Sequence, residues 1–101
     1  MSNLPQYKRL RYHGIYVIIN TINNKVYIGS AIDVENRFNQ HKKALFNRKH
    51  HSILLQRSYD KYGKDNFIFD IIEIIKDKSN LIEREQVWID FFNPEFNINK
   101  T

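Results

Sequence analysis

Five side chains could do chemistry together: polar ones on two helices that break the apolar stripe, and a pair of strand tyrosines. Glu85 follows Leu81 by four residues and precedes Trp88 by three, so on a helix it projects from the face that buries both. A carboxylate there is costly to desolvate unless something pairs with it. Either a neighbouring basic side chain offsets it as a salt bridge, or it is offered to a hard divalent cation. Local pattern leaves both readings open. Arg37 and His41 are four residues apart and share a helical face, with His41 between Phe38 and Leu45 on the apolar stripe. They are expected to form a cationic pair beside the core, against the plainer reading of a satisfied core histidine and a solvated arginine. Tyr16 and Tyr27 fall in two β-branched and aromatic runs. If the connecting turn pairs residue 18 with residue 27, alternation puts both phenols on one face, diagonally placed. The alternative is two ordinary strand tyrosines packing on helices.

The elements that must hold these side chains follow from periodicity and turn chemistry. Ile15 to Asn20 and Val26 to Gly29 read as a hairpin, with Asn23 and Asn24 supplying a turn that tolerates left-handed backbone. From Asp33, a candidate cap, the spacing of Val34, Phe38, His41 and Leu45 predicts a helix to about Asn47. A second helix is expected from a Ser52 cap to a left-handed exit at Gly63, with Arg57 and Lys61 on its exposed side. Phe67 to Ile75 reads as a third strand, buried on one face and largely on the other, paired with the hairpin. Asn80 with Glu83 resembles a capping box, and Leu81, Trp88 and Phe92 mark one face of a last helix that reaches about Asn93 before Pro94.

Composition bounds the setting. The 101 residues are 42% hydrophobic and 14% aromatic, enough for one domain with one core and no internal repeat or linker. Sixteen Lys and Arg against 11 Asp and Glu give a formal charge of +5, which favours a polyanionic partner or is simply a basic surface. No cysteine is present, which excludes disulfides and thiolate metal sites. No stretch has the length of a signal-peptide core or a membrane span, so no membrane role is expected and the protein is read as cytoplasmic.

Gly14-Ile15-Tyr16, a ten-residue gap and Tyr27-Ile28-Gly29, followed by an Arg and a His on the next helix, resemble the GIY-YIG nuclease superfamily. The stretches Asn23 to Tyr27, Ser52 to Gly63 and Ile82 to Glu85 are similar to the branch that contains phage intron homing endonucleases. The resemblance implies an α+β fold, a three-stranded antiparallel sheet flanked by helices. Residues 1–13 would be a basic N-terminal extension and 14–99 the catalytic domain. It also implies that Glu85 binds one divalent ion, Mg²⁺ or Mn²⁺, that a deprotonated Tyr16 or Tyr27 is the general base, and that His41 relays its proton. Arg37 would grip the phosphate and stabilise the transition state, and Asn97 would support the site by hydrogen bonding. His51 matches a less constant family histidine.

The function this implies is metal-dependent hydrolysis of DNA to 5′-phosphate and 3′-hydroxyl ends. Lys42, Lys43, Arg48, Lys49, His51, Arg57 and Lys61 are the expected contacts to nucleic acid. Sequence specificity is expected to be low, and to be supplied by a separate DNA-binding domain or a homo-oligomer. The rival is a non-catalytic nucleic-acid-binding module that uses Lys8, Arg9 and Arg11 as well as Lys42, Lys43, Arg48 and Lys49; a structural or protein-interaction domain is a third reading. His50 and His51 as a metal pair with His41 is disfavoured, because adjacent side chains are expected to point apart and no further ligand completes a set.

Overall fold

The hairpin register follows from the turn. Asn24 adopts φ 62, a left-handed conformation that asparagine tolerates, and the turn sets Ile18 opposite Tyr27 and Tyr16 opposite Gly29. In the computed structural model, which describes residues 12–97, this hairpin is β1 (Gly14–Asn20) and β2 (Val26–Ala31). Then come α1 (Val34–Phe46), α2 (Ile53–Tyr62), β3 (Phe67–Ile74) and α3 (Leu81–Phe92), with single 3₁₀ turns at Lys64–Asn66 and Lys78–Asn80. The sheet is antiparallel in the order β2-β1-β3, with a bulge in the β1–β3 ladder between Ile15 and Tyr16.

Two cores sit on the two faces of this sheet, as strand alternation requires. Tyr16, Ile18 and Ala31 pack with Val34 and Leu45 of α1 and Leu55 of α2; Ile15, Val17, Val26 and Ile28 pack with Leu81 and Ile89 of α3. Two helix starts are capped as their residue types suggest. Asp33 accepts from Asn36 N–H, and Ser52 accepts from Leu55 N–H. Among the described residues, no helix is long and apolar enough to cross a membrane.

Three local expectations are corrected. Asn80 caps nothing with its side chain; Asp77 instead accepts from Ser79 N–H and shapes the turn that leads into α3. Gly63 has φ 87 as expected but ψ 153, outside the left-handed helical region, although its N–H still donates to Tyr59 C=O at the end of α2. β3 is less buried than its apolar run suggested, with Ile68 50% exposed, because it is an edge strand that α3 covers only in part.

The other edge, β2, is covered over part of its length by the tail. Phe96 N–H donates to Val26 C=O, and the Asn97 side chain both accepts from Ile28 N–H (2.9 Å) and donates to Ile28 C=O (2.8 Å). One amide thus replaces a missing strand at an edge that would otherwise leave polar groups unpaired. Asn97→Ala leaves both Ile28 groups without these partners and is expected to cost about 2 kcal/mol, lowering Tm by roughly 10 °C in a thermal melt.

Candidate active site

Gly29 is the residue around which the site is assembled. Tyr16 belongs to the central strand, yet its ring lies across Gly29 on the edge strand. A Cβ placed on Gly29 would stand 2.4 Å from both Cζ and Oη of Tyr16. No side chain larger than hydrogen fits there without displacing the phenol, so the absence of a side chain at 29 is what lets Tyr16 Oη reach toward the β2 edge. The ring is 1% exposed, packed edge-on against Phe38 and stacked at 6.5 Å from Tyr27. The two phenols therefore do share a face, in the diagonal register that alternation predicted.

α1 supplies the next layer. His41, 4% exposed, lies with Nε2 2.6 Å from Tyr16 Oη, and its Nδ1 is 2.7 Å from His50 Nε2. Arg37, one turn earlier and exposed, places its guanidinium where it favours the ionised form of Tyr16. His51 closes the second phenol, with Nε2 3.0 Å from Tyr27 Oη. Arg37, Gln40, His41, Ala44, His50 and His51 line a shallow depression of about 270 Å³.

Two sequence expectations fail here, each for its own reason. His41 was expected to be half of a cationic pair, but burial, with His50, His51 and Arg37 adding to it, pushes its pKa down to about 3, so it is neutral at pH 7. His50 and His51 were expected to point apart, yet their rings stack at 4.4 Å. The turn before α2 is not a strand, so the alternation that separates neighbours does not apply. His50 was absent from the expected site. The signal that could have found it was a second polar side chain beside a helix cap.

Glu85 arrives from the opposite side of the sheet. It is half-buried on α3, and Ser30 Oγ donates to its Oε1 at 2.6 Å. Ser30 follows Gly29 on β2, so the carboxylate is tied to the same edge that Tyr16 crosses, and its charge is felt by both phenols. The basic salt-bridge partner considered for Glu85 is not what the hydrogen bond shows; Arg84 instead pairs with Glu73 at 3.0 Å. Burial is the main cause raising the pKa of Tyr16, helped by Tyr27 and opposed by Arg37. Burial and then Glu85 raise that of Tyr27. Both phenols therefore hold their protons at neutral pH.

A divalent cation fits this donor set. Among the described residues no group of three His, Cys, Asp or Glu side chains is placed to hold a metal ion, so a fully protein-built cage is not present there. One carboxylate with a second oxygen beyond the serine bond suits Mg²⁺, which keeps several waters and completes its shell with phosphate oxygens.

The basic residues divide into patches. Arg57 and Lys61 share a depression of about 240 Å³ with Lys25, Ser58 and Glu95. Lys42 lies on another flank, its ammonium 5.0 Å from the Phe69 ring centre. Arg48 is 4.0 Å from Asp60, and Lys43 and Lys49 are exposed near the end of α1. Lys8, Arg9 and Arg11 lie outside the described residues.

Residues 12–99 match the family described as the GIY-YIG catalytic domain. The chain is 48% identical over 84 residues to Intron-associated endonuclease 1 of Enterobacteria phage T4, covering 83% of this chain and 34% of that protein. It is 47% identical over 72 residues to Probable intron-encoded endonuclease 1 of Neurospora crassa, covering 71% and 22%. The chain thus spans only about a third of the first relative's length and less of the second's. The structure of the catalytic domain of homing endonuclease I-TevI superposes with a TM-score of 0.80 at 46% identity, covering 86% of this chain and 98% of that one.

Proposed function

The chain belongs to the GIY-YIG family of endonuclease catalytic domains, and from that premise we propose that it cleaves DNA by cation-dependent hydrolysis with Tyr16 as general base. The observation that carries the choice of Tyr16 is its position. It alone of the two phenols crosses Gly29 to the strand edge that also holds Glu85, while Arg37 and His41 converge on its oxygen. Tyr27, held by His51, packs beside Tyr16 and shields it.

In this reading Glu85 is the residue that would hold one Mg²⁺ or Mn²⁺, and the chemistry supplied when the ion is bound is charge neutralisation at the leaving 3′ oxygen. Arg37 binds the scissile phosphate through two oxygens and stabilises the charge that builds on it. Tyr16 takes the proton of the attacking water, and the Arg37 charge favours the phenolate that does so. Attack on phosphorus with departure of the 3′ oxygen gives 5′-phosphate and 3′-hydroxyl ends. Lys43, Lys49, Arg57 and Lys61 are exposed phosphate contacts that carry no base information. Specificity is therefore low in this domain and comes from a further DNA-binding region or a second copy.

Supercoiled plasmid incubated with the purified chain tests this. With Mg²⁺ it is expected to be nicked and linearised to ends that ligase reseals without prior phosphorylation, and excess chelator is expected to slow this by at least about 10³-fold. A folded protein that binds DNA in a salt-sensitive way and yields no product with Mg²⁺ or Mn²⁺ would instead identify a binding module.

A further inference from the structure

The hydrogen-bond chain that ends on Tyr16 begins at a backbone amide. Ser52 N–H donates to His50 Nδ1 at 2.9 Å. An amide N–H can only donate, so Nδ1 must present its lone pair, and a neutral His50 then carries its proton on Nε2. That proton faces His41 Nδ1 at 2.7 Å, which must accept it. A neutral His41 in turn carries its own proton on Nε2, 2.6 Å from Tyr16 Oη.

We infer that His50 is a positioning residue: anchored by Ser52 N–H, it locks His41 as the Nε2–H tautomer, so that His41 donates a hydrogen bond to the Tyr16 oxygen and cannot take a proton from it. This rests on the reading of Tyr16 as general base. The Tyr16 phenolate then receives donors from both Arg37 and His41, and the proton it takes from water does not pass inward through the histidines. The relay expected of His41 is replaced by a fixed dipole aimed at the base.

The surroundings keep both rings neutral, as the argument requires. His41 and His50 are 4% and 7% exposed, and burial lowers their pKa values to about 3 and about 4, with His51 adding to both shifts. Tyr16 comes from β1, Tyr27 from β2, Arg37 from α1 and His51 from the turn before α2. Among the described residues, no carboxylate hydrogen-bonds either ring, so nothing shown draws a proton onto Nδ1. Gln56 Oε1 accepts from the His50 backbone N–H and fixes the turn without touching the ring nitrogens. In the opposite tautomer, His50 Nδ1–H and Ser52 N–H would be two donors facing each other.

Long-range ¹H–¹⁵N correlation spectra of the full ¹⁵N-labelled chain at neutral pH test the lock without any substitution. Both rings are expected to show a protonated Nε2 and a bare Nδ1; a protonated Nδ1 on His41 would overturn the inference, whatever the nuclease activity. Two variants add the catalytic readout. His50→Gln keeps an N–H donor near the Nε2 position, whereas His50→Phe keeps the ring volume without the donor. His50→Phe is expected to lower kcat about 10- to 100-fold, leave DNA affinity unchanged and move the rise of rate with pH to higher pH. His50→Gln is expected to restore most of the rate, and equal losses in both folded variants would refute the positioning role. If the unmodified chain cuts no DNA while the tautomers are as stated, the lock stands and the nuclease reading fails.

Discussion

Glu85→Ala is expected to reduce plasmid cleavage by at least about 10³-fold with little change in folding or in DNA affinity. The size of the effect follows from the poverty of the donor set. Among the described residues, no cluster of acidic or histidine side chains stands ready to replace the lost carboxylate. The structural cost is small because Glu85 is half-buried and accepts a hydrogen bond from Ser30 Oγ whose loss costs roughly 1 kcal/mol. Plasmid relaxation assays beside a thermal melt separate the two effects. Undiminished cleavage by a folded variant would remove Glu85 from the site and with it the cation assignment. A variant that has lost both its melt and its DNA affinity would make Glu85 a structural residue.

Tyr16→Phe is expected to lower kcat by roughly 10² to 10⁴, and Tyr27→Phe by much less. Burial holds the Tyr16 pKa above that of a free phenol, so below it the ionised fraction rises about tenfold per pH unit and the cleavage rate should climb with it. Arg37 opposes the upward shift, and a bound cation would lower the pKa further and move that climb toward neutral pH without changing its sign. The same slope should vanish in Tyr16→Phe and persist in Tyr27→Phe when rates are measured over several pH values at saturating Mg²⁺. If the slope disappears in Tyr27→Phe instead, the outer phenol is the base. The phenylalanine ring still packs on Phe38 and over Gly29, so a loss in Tyr16→Phe reports the hydroxyl rather than the packing.

The features legible in the amino-acid sequence alone are local. Asp33 and Ser52 cap helices through side chains that reach only three residues ahead, and Asn24 turns the hairpin through its own φ. From that turn the diagonal pairing of Tyr16 and Tyr27 follows by counting in twos. Residue types with two uses are not resolved by their local spacing. Asn80 looked like a cap, while Asp77 shapes that turn, and an apolar β3 looked internal although it lies at an edge. Edge or centre is decided by which strand pairs with which, and residues within β3 do not encode that.

By itself, then, the sequence determined the elements, their order and the side chains able to do chemistry, because propensity, periodicity and capping act over a few residues. Only the tertiary structure decided how those side chains meet. Ser30 reaches Glu85 across 55 residues and Asn97 reaches Ile28 across 69, through contacts that exist only once β2 is an edge. It also decided the protonation of the site. The neutral state of His41 is set by burial and by His50 and His51, and its proton position by a backbone amide at the start of α2. Burial and hydrogen-bond direction belong to the packed chain, and no spacing of residue types contains them.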